Sequence, residues 1–439
     1  MTNKKILLPL ISILLFFPNY LFCQTVLDLG NRRELFLDDY LLDTIAGLEL
    51  KLNIPQEVQS TNIPNGYYQT IIKTDSLYRI YYRDKLDFWK GELYDGNPGE
   101  ITKSAISRDG YNWQEEATYI NDSIKNYIFY EPPFKDENPN SKYKYIALSG
   151  TNDTGGLFSF YSNDGINFKK FKNQAVIKHD PNYYEYDSQN IAFWSETENQ
   201  YICYFRRLIN GLRSFSRSSS KDFESWSTPI NIFPNLEGEH LYTSGIQPYF
   251  RATHIYIGLS TRFFPENGNS TDIVLISSRD GVKFDRTFKE AFIRPGLDPG
   301  KWENRSNYIT LNLVPLDESY MGIFARNSLY KIRMDGFSSV NSGFKGGFFI
   351  TKPFKFMGNT MEINYATSAG GFIGIEILDE NNERLINGLR YSSEKIIGDE
   401  IAGKVKWQKS LDLASIEGKI IRLRITMKEA DLYSFKFNN

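Results

Sequence analysis

Acidic residues recur beside short apolar runs along this sequence. Asp136 follows Pro132-Pro133-Phe134-Lys135, and Asp187 leads Ser188-Gln189-Asn190 into the run Ile191-Ala192-Phe193-Trp194. Glu239 opens Glu239-His240-Leu241-Tyr242, and Glu303 lies in Trp302-Glu303-Asn304-Arg305-Ser306-Asn307-Tyr308. Cleaving a glycosidic bond needs two carboxylates flanking it, one to protonate the leaving oxygen and one to act as base or nucleophile. On this reading Asp187 or Glu239 is the expected acid and Asp136 the expected stabiliser. His240, one of three histidines, would bind a sugar hydroxyl or assist proton transfer. Tyr67, Gln189, Asn190, Tyr242, Glu303 and Asn307 offer stacking and hydrogen-bonding groups for a sugar. Arg206 and Arg305 would suit a sulfated or uronic sugar through bidentate pairing. Arg207, Arg213 and Arg217 crowd the same stretch as Arg206, and structural ion pairs are the plainer use for any one of them.

Other chemistries lack their residues. The chain has no phosphate-binding glycine loop, no nucleophile elbow and no paired Cys or His at metal spacing. No cofactor is expected, and a structural calcium is left open. Cys203 sits in the apolar run Tyr201-Ile202-Cys203-Tyr204-Phe205, which reads as a buried thiol rather than a nucleophile.

The elements that must position these residues follow from an internal repeat. Ser107-Arg108-Asp109-Gly110-Tyr111-Asn112-Trp113 returns as Ser162-Asn163-Asp164-Gly165-Ile166-Asn167-Phe168. It returns again as Ser220-Lys221-Asp222-Phe223-Glu224-Ser225-Trp226 and as Ser278-Arg279-Asp280-Gly281-Val282-Lys283-Phe284. Arg333-Met334-Asp335-Gly336-Phe337 is a degenerate fifth copy. By subtraction of the aspartate numbers, the steps are 55, 58, 58 and 55 residues. Asp-Gly marks a hairpin turn, because Asp bonds the turn backbone and Gly takes positive φ. Three strand-like runs precede each copy: 68–73, 77–82 and 101–107 in the first unit, and 190–194, 200–205 and 212–218 in the third. Four strands in each of five units describe an all-β, five-bladed β-propeller over residues 24–343. The run 35–42 adds a strand that closes the ring or leads into it. Past the glycines Gly343, Gly346 and Gly347 the pattern changes. Runs at 361–365, 373–378, 405–407, 420–426 and 432–437 predict a β-sandwich over 344–439. In a propeller, the loops at one end of the axis form a funnel where function gathers.

Composition agrees. At 439 residues the chain is long enough for two domains, and 41% hydrophobic residues can bury a sizeable core. The 29 Tyr and 32 Phe favour strands and also suit sugar stacking. A net charge of −2 excludes an electrostatic nucleic-acid binder. Lys4 and Lys5 precede an apolar run over 6–17, the pattern of a signal peptide over 1–23 and too short for a transmembrane segment. Export to the periplasm or beyond is therefore expected. Lipoprotein anchoring at Cys23 is disfavoured by bulky Phe22.

The five-bladed propeller with a C-terminal sandwich resembles glycoside hydrolase family 32, and the propeller alone resembles family 43. Phe134-Lys135-Asp136 looks like the family-32 element whose Asp stabilises the transition state. More broadly, the chain resembles exported bacterial proteins described as family 32-like, through Glu34-Leu35-Phe36-Leu37-Asp38-Asp39-Tyr40, Asp187-Ser188-Gln189-Asn190, Glu239-His240-Leu241-Tyr242, Asn304-Arg305-Ser306-Asn307-Tyr308 and Ala430-Asp431-Leu432-Tyr433-Ser434-Phe435. The resemblance implies a glycosidase, and a blocked, funnel-shaped pocket would suit exo action on terminal sugars of plant or algal glycans. It is imperfect: Tyr67 stands near the place of the first-blade Asp, and Asp187 stands where those families use Glu. A non-catalytic glycan-binding protein is the first alternative. A sialidase-like enzyme is the second, although sialidases have six blades and this repeat counts five.

Overall fold

The computed structural model describes residues 26–439 apart from 60, 75, 86–99, 120–132, 385, 387–389 and 409–411. The expected signal segment and Cys23 lie outside the described residues.

The chain is all-β, a five-bladed propeller with an additional C-terminal mixed sheet. Blade 1 runs Tyr67–Lys73, Tyr78–Lys85, Glu100–Ser107 and Gln114–Tyr119. Blade 3 runs Ile191–Ser195, Gln200–Ile209, Leu212–Ser220 and Ile230–Ile232. Its central hairpin turns on Asn210 (φ 52°) and Gly211 (φ 80°), the residue pair that a two-residue turn with left-handed backbone demands. Blades 2 and 4 follow the same plan, with inner strands Phe134–Lys135 and, in two pieces, His240–Thr243 and Ile246–Tyr249.

The four full aspartate turns are built alike. Asp109 Oδ1 accepts from the Tyr111 and Asn112 amides at 2.8 Å, and Ser107 Oγ donates to it at 2.9 Å. Asp164, Asp222 and Asp280 repeat the arrangement. Each turn packs on the preceding blade. The Gly165 carbonyl accepts from Tyr81 of blade 1 at 2.8 Å, and the Gly281 carbonyl accepts from Tyr204 of blade 3 at 2.6 Å. Phe223 replaces glycine in the third copy, at φ 64°. Its ring is buried against Tyr201 and Phe171, with centroids 5.0 and 6.1 Å away, so packing compensates the backbone strain.

Blade 5 shows how the ring closes. Its strands Val314–Pro315, Tyr320–Ala325 and Ser328–Arg333 are completed by Gln56–Val58 from the other end of the chain. The run 35–42 is therefore not the closing strand. Glu34–Leu35 and Leu42–Ala46 pair instead with strands of the C-terminal sheet, as do Leu27–Gly30 and Glu49–Leu52. Strands from before residue 53 thus share one sheet with strands from beyond residue 337. The C-terminal sheet contains two long strands, Thr360–Asp379 and Ile421–Asn438, which pair with each other across two breaks in register. Sequence runs 361–365 and 373–378 belong to one strand that bulges near Gly370 and Gly371. A core of Phe36, Phe349, Phe354, Phe435 and Phe437 fills this part of the molecule.

Candidate active site at the head of the propeller axis

The inner strands run in the same direction around the axis, as the parallel bridge between Thr70 and Leu311 shows. Residues just before an inner strand therefore gather at one end, and residues just after it at the other. This rule sorts the candidates.

At the leading end, three tyrosines from three blades pack together. Tyr308 lies 5.6 Å from Tyr68 and 5.1 Å from Tyr242, centroid to centroid. All three are buried. Tyr68 reaches the axis because it adopts φ 47° at a register break in the first inner strand. Burial, with Tyr68 and Tyr242 adding to it, pushes the Tyr308 hydroxyl far above the ordinary phenol value. Arg206 lies over the Tyr242 ring at 4.6 Å, a cation–π contact. Its Nη2 donates to Asp187 Oδ2 at 2.8 Å, and the Tyr184 hydroxyl donates to the same oxygen at 3.0 Å. Burial works against the Arg206 charge, but the Asp187 carboxylate outweighs it and holds the guanidinium above its ordinary value. The Arg206 side chain is 1% exposed, whereas that of Asp187 is 26% exposed. Asp187 is thus a reachable carboxylate on a buried aromatic and cationic bed.

Other expected residues join this end. His240 Nδ1 accepts the Arg213 amide hydrogen at 3.2 Å. Burial, and then the Arg213 charge, holds the imidazole below its ordinary value, so it is neutral near pH 7. Tyr67 is covered by Arg326 at 5.0 Å. Arg305 takes φ 63°, and its charge acts on Tyr308. Gln189 lies deeper and ties the axis, donating to the Gln69 carbonyl at 2.9 Å. Asn190 is fully buried and donates to the Tyr186 carbonyl at 3.4 Å.

The remaining candidates lie at the other end or are taken up by other partners. Asp136 follows its inner strand and so lies at the trailing end, where the Tyr201 hydroxyl donates to it at 3.1 Å. Burial raises its carboxyl, partly offset by bonds from Ser141, Asn138 and Tyr201. Glu239 is held by Arg286 through two bonds of 2.7 and 3.0 Å and by the Leu236 amide. The Asn307 amide is spent on the Thr271 and Lys301 carbonyls at 2.8 and 2.7 Å. Glu303 is exposed after the short turn Pro299–Trp302. Asp187, Asp136 and Glu239 therefore do not flank one bond.

Sequence reasoning reached Tyr242 but missed its stack with Tyr308 and Tyr68. Tyr68, Tyr242 and Tyr308 each sit at or near the start of an inner strand, and that shared position was the available signal. A cavity of about 1000 Å³ opens at the trailing end. Its walls are mostly apolar, with Ile71, Phe134, Phe193 and Leu311 among them, and its acids Glu137 and Glu196 stand at Lys135 and Thr253. It offers volume without converging catalytic groups. Among the described residues, no three His, Cys, Asp or Glu side chains could hold a metal, and no helix is long and apolar enough to cross a membrane.

No family profile and no curated protein match this chain. In solved structures the propeller is distantly similar to glycoside hydrolases. A thermostable family-43 glycoside hydrolase shares 13% identity at a TM-score of 0.43, over 64% of this chain and 95% of its own. An α-L-arabinanase of Penicillium chrysogenum, complexed with arabinobiose, shares 9% at 0.40, over 66% and 99%. A glycosidase-like protein from Bacteroides thetaiotaomicron shares 12% at 0.43, over 68% and 95%. At these scores the likeness carries no assignment of activity.

Proposed function

We propose that the protein is a carbohydrate-active enzyme that cleaves terminal glycosidic bonds at the leading end of its propeller axis, with Asp187 as the reacting carboxylate. One observation carries this reading. Asp187 is the reachable acid on a bed of stacked tyrosines and arginine, and that combination binds a sugar through ring faces and hydroxyls together. The Arg206 guanidinium, 2.8 Å away, sets a fixed positive charge against Asp187. That suits a base, nucleophile or charge stabiliser better than the proton donor expected from the sequence. The apolar segment at 6–17 supports action outside the cytoplasm as part of the same proposal.

A second reading, a glycan-binding protein without turnover, is favoured by the position of Asp136 at the other end of the axis and by the pairing of Glu239 with Arg286. One experiment divides the two. The purified protein is incubated with plant and algal oligosaccharides, and released sugars are read by mass. Release that vanishes in Asp187→Asn supports the glycosidase. Binding with no release from any substrate supports the second reading.

A further inference from the structure

We propose that the axial site takes an anionic glycan, a sugar bearing a carboxylate or a sulfate ester, with Arg213 as the anion receptor and Arg206 behind it. The inference rests on the carbohydrate reading above and narrows its substrate class.

The four arginines of blade 3 divide by strand face. Side chains alternate along a strand. Arg206 stands opposite Phe215 and Arg213 opposite Leu208, so Arg206 and Arg213 are diagonal neighbours on one face. Arg207 lies on the other face and pairs with Glu185 at 2.6 Å. Arg217 pairs with Glu198. A structural ion pair accounts for Arg207 and Arg217.

It does not account for Arg213. Its guanidinium lies 5.2 Å from the Tyr242 centroid and 4.7 Å from that of Phe263. Among the described residues, no carboxylate lies within ion-pair distance of it. Arg206 covers the same Tyr242 ring. Two guanidinium groups thus share one ring, and among the described residues Asp187 is the one carboxylate paired with them. Like charges this close, in surroundings drier than water, repel unless a second anion joins them.

The hydrogen-bond inventory points the same way. Among the described residues, buried Arg213 Nε meets no acceptor, and neither do Nε and Nη1 of the almost fully buried Arg206. Buried guanidinium donors left unmet are costly, which is why native proteins seldom keep them. His240 adds a donor. Its Nδ1 accepts from the Arg213 amide, so the neutral ring carries its proton on Nε2. An oxyanion carried by the ligand would supply the missing acceptors and the missing charge together.

The test is titration calorimetry with two matched pairs: tetragalacturonate against its methyl ester, and a sulfated galactotetraose against its desulfated form. A neutral arabino- and xylo-oligosaccharide panel is run beside them. One anionic member is expected to bind at least tenfold more tightly than its neutral twin, and the pair that shows the margin tells carboxylate from sulfate. Arg213→Gln should abolish that margin. Arg213→Lys, which keeps the charge and loses the fork, should retain part of it and serves if the glutamine variant does not fold. Equal binding of both twins, or a margin that survives Arg213→Gln, overturns the inference. Neutral glycans binding while the anionic ones do not also overturns it and leaves the carbohydrate reading standing. No binding by any glycan overturns both.

Discussion

At the residue scale, Asp187 and Tyr308 separate chemistry from scaffolding. Asp187→Asn keeps the shape of the side chain and removes its charge. Turnover should fall by about 10²–10⁴-fold, the range for loss of a positioned acid–base group, while the circular dichroism spectrum stays that of the wild type. An unchanged rate would remove Asp187 from the mechanism. Tyr308 makes the opposite case. Among the described residues, its buried hydroxyl meets no hydrogen-bond partner. Tyr308→Phe removes a polar group that gains little from the fold, so stability should hold or rise by up to about 1–2 kcal/mol. Urea unfolding reads this directly, and a clear loss would mean that the hydroxyl has a structural partner. The sequence pointed to Asp187 and Tyr242, because their short motifs open apolar strands, and to Arg206, because arginines crowd its stretch. Asp136 falls at the other end, because position relative to a strand, and not proximity to one, decides which end of the axis a residue reaches; Glu239 precedes its strand but is taken up by Arg286. Sequence reasoning passed over Tyr68, whose arrival at the axis depends on a left-handed backbone that residue type does not announce.

At the element scale, the aspartate turns are the units that hold blade to blade. Each carboxylate accepts two backbone amides, as Asp164 does from Ile166 and Asn167. Asp164→Ala should cost about 1–3 kcal/mol, the range for bonds to a charged acceptor. The same bonds set a pH dependence. In Asp109 the bonds from Asn112 and Tyr111 hold the carboxyl below its ordinary value. In Asp164 slight burial works the other way and is outweighed by Asn167 and Ile166. A carboxyl depressed in the folded state adds stability above its unfolded value near 3.8, and that stability is lost as pH falls through and below that value. The melting temperature should therefore drop steeply below about pH 4. The slope should be shallower in Asp164→Ala. The periodicity of these turns made the blade count legible, since each turn is a local hydrogen-bonded motif written in adjacent residues. The closing strand Gln56–Val58 was not legible. Its partner Leu329–Lys331 is more than 270 residues away, and nothing local marks that pairing.

At the scale of the whole molecule, the degenerate fifth turn has become a junction. Asp335 is fully buried and gathers both ends of the chain. It accepts from Tyr249 at 2.7 Å and Ser434 at 2.7 Å, and from Asn364 at 3.2 Å; Arg33 and Arg251 pair with it at 3.4 Å. Blades 4 and 5, the leading segment and the C-terminal sheet thus meet at one carboxylate. Asp335→Ala would leave Arg33 buried with a weakened counter-charge, which typically costs about 3–5 kcal/mol. The strand pairing makes the dependence wider than one residue. Strands Leu27–Gly30, Glu34–Leu35, Leu42–Ala46 and Glu49–Leu52 all pair with strands beyond residue 337. They lead directly to Gln56–Val58, which completes blade 5. A chain ended at residue 343 would keep every blade motif and lose the partners of three of those four strands. The exposed edges would invite aggregation, and the closing strand would be tethered to an unpaired segment. Residues 26–343 expressed alone should therefore be insoluble or show no cooperative melt, while the full chain melts in one transition. A soluble, cooperatively melting fragment would show instead that the propeller closes by itself and that the C-terminal sheet is an independent addition.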